Sequence, residues 1–281
     1  MNVHHQTRAT LLAQGHTRRS IQAAIRTGEL IHVRRDRYLT PDVHDLVVRA
    51  VRVGGRLTCL SLLALLGVFV LRNHQLHVQV APGAGRLRAP DDRQRPAATT
   101  RAGAVRLHWT ETTEVPQSAC AVGVVDALVH AILCQPPRAA VATLDSAVHL
   151  GLITMWQLAE VFARLPARFQ VLRTFVDGRA ESGPESLIRL MARRLGCEVR
   201  LQVSFDGVGR VDLVLDGWLV VECDSKEFHA DWAAQVRDRE RDLALAGLGY
   251  CTFRVTAAAI MYRPDEVFAA LRGLILSRRA V

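Results

Sequence analysis

The chain contains one lysine and no closely spaced cysteine pair. Lys226 stands alone among 36 basic residues, and such an arginine preference is typical of GC-rich coding, so single arginines are not interpreted as contacts. The six cysteines form no CxxC pair, which argues against a zinc ribbon and a disulfide scaffold. We expect them to be reduced, buried, small hydrophobic residues of a cytoplasmic protein.

Long apolar segments are also absent. The amino-terminal residues MNVHHQTRATLLAQ lack the apolar core of a signal peptide. The longest nearly apolar run, residues 57–71, contains Thr58 and Ser61 and is too short to cross a bilayer. This run therefore predicts a buried helix, and no membrane is expected as a partner.

The charge is distributed unevenly. Residues 1–110 contain 17 arginines and 6 acidic residues, whereas residues 111–281 carry a net charge of −2. A basic amino-terminal part suits a polyanion, with nucleic acid as the leading candidate, although a basic surface without a partner gives the same count.

Residues 1–55 predict a compact helical unit followed by a hairpin. In TRRSIQAAIRTG, Thr17 is suited to cap a helix that buries Ile21 and Ile25 and ends at Gly28. ELIHVRRDRYL then alternates and turns at Arg35-Asp36, as a short β-hairpin does. Two helices, a tight turn and a basic hairpin are typical of a winged helix-turn-helix, but a small helical domain with a basic face fits as well.

In the winged helix-turn-helix interpretation, the second helix reads DNA. Arginine at a helix start can enter the major groove, and arginine on the wing can hold phosphate. The predicted DNA-binding residues of this unit are Arg18, Arg19 and Ser20 on the helix and Arg34, Arg35 and Arg37 on the wing.

The segment GHTRRSIQAAIRTGELIHVRRDRYL resembles the amino-terminal domain of AbiEi-type antitoxins, the DNA-binding partners of abortive-infection systems. The likeness covers about 40 residues and rests on a spacing shared by Gly15, Thr17, Ile21, Gly28, Leu30, Val33 and Tyr38. It implies DNA as a partner, and a protein partner from a toxin system.

Residues 56–175 predict a mixed, mostly helical middle segment that links the amino-terminal unit to the carboxyl-terminal domain. LHVQVAP indicates a strand, residues 83–103 indicate an exposed loop, and three later stretches have helical apolar spacing.

Residues 176–281 predict an α/β domain with a mixed sheet. ESGPESLIRLMARRLG indicates a helix with Ser182 or Gly183 as its cap, Glu185 in its first turn and Gly196 as its end. Two apolar runs come next, VGRVDLVL and WLVVEC, separated by Asp216-Gly217. They predict a hairpin in a sheet that is buried on both faces.

Carboxylates interrupt both apolar runs, and the hairpin register decides whether they meet. A two-residue turn at Asp216-Gly217 would send Asp212 and Glu222 to opposite faces. A three-residue loop, residues 215–217, would pair Asp212 with Val220 and place Asp212, Glu222 and Asp224 on one face. Only the three-residue loop allows Asp212, Glu222 and Asp224 to form one site.

Three buried carboxylates on one face repel one another unless a cation lies between them. Oxygen ligands with open positions suit Mg²⁺ or Mn²⁺, which can activate a water and stabilise charge on a phosphodiester. The predicted metal ligands are Asp212, Glu222 and Asp224.

The carboxyl-terminal segment resembles the PD-(D/E)xK restriction-endonuclease-like nucleases, and more closely the very-short-patch-repair endonuclease-like domains. Four ordered stretches carry the likeness: VDLV (211–214), ECDSKEFH (222–229), RDRERDLALAGLGY (237–250) and TFRVT (252–256). The resemblance implies a restriction-endonuclease-like α/β/α fold and metal-dependent cleavage of DNA.

The same resemblance assigns roles residue by residue. It implies that Asp212 and Glu222 bind the metal, that Glu185 is the helix glutamate, and that His229 acts as a general acid or base. Arg254 would lie near the scissile phosphate, and a charged helix beside the site would carry Asp238, Arg241 and Asp242.

The chain departs from this pattern at two places. Asp224 stands where the motif usually has lysine, and Lys226, two residues later, either replaces that lysine or is simply exposed. Ser225 stands where the related domains usually have glycine.

The sequence supports three functions as hypotheses. The first is a Mg²⁺-dependent DNA endonuclease, which would need a homodimer to cut both strands. The second is a non-catalytic transcriptional regulator or antitoxin with a degenerate nuclease domain. The third is a toxin-system component that acts through another protein.

Overall fold

The computed structural model describes residues 4–112, 118–224 and 232–279. The helices, in chain order, are α1 (Arg8–Ala13), α2 (Arg18–Thr27), α3 (Asp45–Val53), α4 (Cys59–Leu65), α5 (Val124–Cys134), α6 (Pro137–His149), α7 (Met155–Ala163), α8 (Gly183–Arg194), α9 (Trp232–Gly247), α10 (Ala257–Tyr262) and α11 (Pro264–Arg279). Two 3₁₀ segments, Ala97–Thr99 and Ala167–Phe175, lie among them. None of the described helices is both long and apolar enough to cross a membrane.

The strands form three small sheets. In chain order they are β1 (Ile31–Arg34), β2 (Arg37–Leu39), β3 (Arg56–Leu57), β4 (Leu76–Val80), β5 (Val105–Trp109), β6 (Val199–Phe205), β7 (Gly209–Leu215), β8 (Leu219–Asp224) and β9 (Cys251–Thr256). The sheets have the orders β1-β2, β3-β4-β5 and β6-β7-β8-β9. The prediction of an α/β protein with a mixed sheet in its carboxyl-terminal part is confirmed, because β8 pairs antiparallel with β7 and parallel with β9.

The chain divides into two compact units. The first contains Met1–Gln135 and Ile153–Ala167, and the second contains Pro136–Leu152 and Arg168–Val281. The sequence analysis assigned DNA binding to residues 1–55, a linking role to residues 56–175 and the chemistry to residues 176–281. These assignments remain predictions.

In the first unit, capping residues and a short turn account for the predicted second helix and the hairpin. Thr17 caps α2 through a capping box with Ser20, and Gly28 ends the helix in the left-handed conformation that glycine adopts readily. Ile21 is buried and Ile25 packs beside it. The β1–β2 hairpin turns at Arg35-Asp36, with Arg34 opposite Arg37, as predicted.

Residues 57–63 of the apolar run 57–71 are buried, but the run is not one helix. Leu57 belongs to β3, and only Cys59–Leu65 is helical. Cys59 begins α4 with a φ of 53°. This left-handed conformation is strained for any residue other than glycine.

In the second unit, α8 packs against β6 and β7, and Leu245 of α9 packs on Val211, Val214 and Val220. Leu213, Val214 and Leu215 are consecutive and fully buried. Because neighbouring residues of a strand point to opposite faces, both faces of the sheet are covered here, as predicted.

Candidate functional site

The hairpin between β7 and β8 decides which carboxylates meet. Leu215 pairs with Leu219 and Leu213 with Val221, which leaves a three-residue loop at positions 216–218. The predicted loop at 215–217, with Asp212 opposite Val220, is therefore wrong by one position. The loop still has an odd number of residues, as a shared site requires. Asp212 and Glu222 therefore lie on one face of the sheet. Asp216 and Gly217 both adopt left-handed backbone conformations, which allows this turn.

Asp212 lies at the end of the paired part of the hairpin. Its Oδ2 accepts a hydrogen bond of 2.7 Å from the backbone N–H of Cys223. Burial raises the pKa of Asp212, the charge of Asp224 raises it further, and the Cys223 N–H opposes both. The surroundings of Asp212 therefore disfavour the ionised form of its carboxyl group.

Glu222 is 6% exposed and has one charged partner among the described residues. Burial, followed by the charge of Asp212, raises its pKa to about 7, although Arg241 pulls the pKa down. The Nη2 of Arg241 lies 3.0 Å from Glu222 Oε1 and also donates to the carbonyl of Arg210. Arg241 on α9 is therefore fixed beside the two carboxylates.

Glu185 approaches the same place from α8. It is buried, and its Oε2 accepts hydrogen bonds from the backbone N–H of Glu181 (2.9 Å) and from Gln202 Nε2 (2.7 Å). Burial raises the pKa of Glu185, and the charge of Asp212 adds to the rise. The expectation that Glu185 occupies the first turn of a helix is confirmed, with Ser182 as the cap.

Gln202 belongs to the cluster and was not predicted. Leu201 pairs with Leu213 and Val203 with Val211, so Gln202 lies opposite Asp212 on the neighbouring strand. Its φ of 54° is left-handed, which is unusual inside a strand and is a form of strain that concentrates at functional sites. A single glutamine in an alternating strand gives no sequence signal of this kind.

Asp224 and Arg254 lie at the outer end of the site. Arg254 sits opposite Glu222 in the parallel β8–β9 pair and forms a bidentate ion pair with Asp242 of α9. Its Nη1 also lies 3.5 Å from Asp224, whose side chain is 46% exposed. Asp242 therefore pairs with Arg254, while Arg241 pairs with Glu222. Asp238 is exposed on α9.

Two predicted site residues, Lys226 and His229, lie outside the described residues, as does Ser225. The described part of the site contains the carboxylates of Glu185, Asp212, Glu222 and Asp224. Across that described part, the ion pairs to these carboxylates come from Arg241 and Arg254.

The predicted DNA-binding residues of the first unit have different environments. Arg18 and Arg19 are exposed on the first turn of α2. The hydroxyl of Ser20 is occupied in the capping box, where it contacts the backbone of Thr17. Arg34 donates to the carbonyls of Val53 (2.7 Å) and Arg86 (3.0 Å), so its guanidinium holds neighbouring loops together.

Arg35 and Arg37 border a basic cavity in the first unit. The cavity has a volume of about 770 Å³, and its charged and polar lining includes Arg34, Arg35, Arg37, Arg56, His5 and Gln79. Since Arg34 is committed to backbone carbonyls, Arg35, Arg37 and Arg56 are the guanidinium groups here that suit a phosphate or another anion, and Glu111 also lines the cavity.

A second group that could hold a metal ion lies elsewhere in the first unit. The potential ligand atoms of Cys59, His77, His108 and Cys134 all lie within 4.8 Å of one another. This donor set suits zinc rather than Mg²⁺. Sequence reasoning missed it because the four positions have no motif spacing. The expectation that the cysteines are buried holds for Cys59, Cys120 and Cys197, whereas Cys251 is exposed.

Comparison with known proteins assigns no relative: no protein-family model matches the chain, and no curated protein matches it significantly. The two resemblances drawn from the sequence therefore stay predictions.

Proposed function

We propose that the protein binds DNA and hydrolyses phosphodiester bonds with Mg²⁺ or Mn²⁺ at the carboxylates of its second unit. The observation that carries this proposal is the meeting of Asp212, Glu222 and Glu185 at one place, with Arg241 and Arg254 beside them. The resemblance to restriction-endonuclease-like nucleases implies metal-binding carboxylates at this place and an arginine near the scissile phosphate.

The residues at this place fit a hard divalent cation. Burial raises the pKa of Asp212, Glu222 and Glu185, so a cation that neutralises them would relieve an unfavourable arrangement. Their donors are oxygen atoms, which Mg²⁺ and Mn²⁺ prefer. Asp212, Glu222 and Asp224 would hold the ion, and the ion would supply an activated water and charge neutralisation.

The other residues have supporting roles in this proposal. Arg254 would bind the phosphate that is cut, held in position by Asp242. Arg241 would hold Glu222 in place, and Gln202 would fix the orientation of Glu185. Lys226 would orient the attacking water or hold the phosphate, and His229 would act as the general acid or base that the resemblance implies.

DNA binding is assigned to a winged helix-turn-helix in residues 1–55. Helices α1 and α2 followed by the β1–β2 hairpin support this interpretation, and so do the exposed side chains of Arg18, Arg19 and Arg35. Arg34 and Ser20 would act by positioning the wing and the helix. Since each chain offers one carboxylate site, a double-strand cut would require two copies.

A plasmid-cleavage experiment tests the proposed activity. Supercoiled DNA is incubated with the protein with and without Mg²⁺ or Mn²⁺, with Glu222→Gln as the variant. The exposed Glu240→Gln on α9 is the matched control. We expect metal-dependent nicking by the wild type and the control, and nicking lost in Glu222→Gln while DNA binding is retained.

The alternative function is a non-catalytic regulator or antitoxin with a degenerate nuclease domain. One observation favours it: Arg241 and Arg254 already form ion pairs with Glu222 and Asp224, so these carboxylates are partly neutralised by the protein itself. A wild-type protein that shifts DNA but never cuts it with either metal would support this alternative. A toxin-system protein would then be the expected partner.

A further inference from the structure

Four potential metal ligands converge in the first unit, far from one another in the sequence. Cys59 begins α4, His77 lies in β4, His108 lies in β5 and Cys134 ends α5. His77 pairs with Arg106 and Gln79 pairs with His108 in the parallel β4–β5 pair, so His77 and His108 lie on one face, two positions apart along the strands. Helices α4 and α5 contact each other and bring their cysteines to this place.

Two of the distances between potential ligand atoms are close to the edge lengths of a tetrahedral zinc site. His77 Nδ1 lies 3.1 Å from His108 Nε2, and Cys134 Sγ lies 3.9 Å from the same nitrogen. With usual zinc–nitrogen and zinc–sulfur bond lengths, ligand atoms around a tetrahedral zinc ion are separated by about 3.3–3.8 Å. Since all four atoms lie within 4.8 Å of one another, movements of about 1 Å bring them to these separations.

A neighbouring histidine holds the arrangement in place without being a ligand. His130 stacks on His108 with ring centroids 4.5 Å apart. Its two ring nitrogens contact the hydroxyls of Thr58 (2.8 Å) and Thr110 (2.9 Å). His130, held by these two threonines, therefore limits the movement of the His108 ring by stacking on it.

The cluster is built into the core and yet accessible. Cys59 is 0% exposed and His77 is 4% exposed. The left-handed backbone conformation of Cys59 is a strain consistent with a position held by a ligand bond. His77 and Cys134 border an open cavity of about 450 Å³, which gives an ion a route to the site.

We propose that Cys59, His77, His108 and Cys134 form a closed, structural zinc site that ties α4 and α5 to the β4–β5 pair. Four protein ligands leave no position for a substrate, which is the property of structural rather than catalytic zinc. Two thiolates balance the charge of the ion. The site is independent of the carboxylates proposed for phosphodiester hydrolysis, and it suits a different metal.

The test begins with the metal content and the ligand set of the wild-type full chain. After dialysis we expect about one zinc ion per chain. X-ray absorption should show two sulfur and two nitrogen ligands. Replacement by Co²⁺ should give a tetrahedral spectrum with thiolate-to-cobalt charge transfer. The described carboxylates of the second unit offer oxygen ligands, so sulfur ligands and thiolate-to-cobalt charge transfer do not arise from them.

Variants then assign the ligands. Cys134→Ser and His108→Ala should lose the zinc and the cobalt spectrum. Two matched controls should keep both: Cys251→Ser replaces an exposed cysteine, and His74→Ala replaces an exposed histidine that borders the same cavity. Circular dichroism of each variant separates loss of the ion from loss of the fold.

Any one of three results with the wild type would overturn the proposal. None of them depends on a variant that folds. One is a chain without zinc that also fails to take up Co²⁺. Another is a bound ion with an oxygen-only ligand set. The third is a disulfide between Cys59 and Cys134 in the protein as isolated under reducing conditions.

Discussion

At the scale of single residues, the carboxyl of Glu222 determines how the metal-free second unit responds to pH. Burial and the charge of Asp212 raise its pKa from the usual 4.5 to about 7, so the folded protein binds this proton more tightly than the unfolded chain. The stability from the protonated form is fully present below pH 4.5 and is lost as the pH rises through 7.

We therefore expect the free energy of unfolding, measured by urea denaturation in EDTA, to fall between pH 4.5 and 7. Glu222→Gln should flatten this fall, because its amide does not titrate. The exposed control Glu240→Gln should follow the wild type. Parallel curves for wild type and Glu222→Gln would contradict the raised pKa of Glu222.

Among the elements, the junction between α3 and β3 depends on a close approach of two backbones. A Cβ on Gly55 would lie 2.0 Å from the carbonyl oxygen of Gln79 in β4, and backbone cannot yield as a flexible side chain does. The neighbouring Gly54 is left-handed and lies against the guanidinium of Arg34. Small residues are thus required where Arg34 ties the hairpin to α3.

We expect Gly55→Ala to destabilise the protein by roughly 1–3 kcal/mol, because the added methyl forces β3 away from β4. Thermal or urea unfolding measures the change. Gly85→Ala is the matched control, since its Cβ meets open space and its backbone is not left-handed. Equal stability of Gly55→Ala and the wild type would show that the two backbones can separate at no cost.

For the molecule as a whole, one buried ion pair joins distant parts of the chain. Asp145 of α6 and Arg189 of α8 are 0% and 1% exposed at their side chains and lie 2.6 Å apart. Asp145 also accepts from the backbone N–H of Asp177, and Arg189 donates to the carbonyl of Phe175. This network anchors residues 136–152 within the second unit.

Asp145→Ala should cost about 3–5 kcal/mol, because it leaves the guanidinium of Arg189 buried without its charge partner. The double variant with Arg189→Leu should be less destabilised than the two single effects predict. A double-mutant cycle by urea unfolding measures the coupling. Asp91→Ala breaks the exposed pair with Arg95 and should change the free energy of unfolding far less, because solvent screens that pair. Equal costs at the two sites would refute the special role of the buried pair.

The excess of arginine in residues 1–110 leads to a prediction about DNA affinity. Replacing Arg18 and Arg19 together by alanine should weaken DNA binding and lower the salt slope of log K by about 2, as expected for two lost phosphate contacts. Fluorescence anisotropy at several salt concentrations measures both effects. Arg200→Ala, at an exposed position of β6, is the control. An unchanged slope in the double variant would remove α2 from the DNA-binding surface.

Much of the fold was predictable because its signals act over a few residues. Thr17 and Ser182 cap helices through hydrogen bonds to their own neighbours, and Gly28 ends a helix by its left-handed backbone. Apolar runs mark β7 and β8. The sequence left two hairpin loops open, and the one with an odd number of residues, which a shared site requires, is present one position later than proposed. Asp216 and Gly217 both adopt left-handed backbone conformations in this loop, which Asp-Gly sequences favour.

The sequence by itself determined the elements, the uneven charge and the presence of carboxylates within apolar strands. Only the tertiary structure decided which side chains meet. It placed strained Gln202 against Glu185, directed Arg34 to backbone carbonyls, paired Arg241 with Glu222, and gathered Cys59, His77, His108 and Cys134. The physical reason is that these contacts depend on strand register and helix packing between distant segments, which no short stretch of residues encodes.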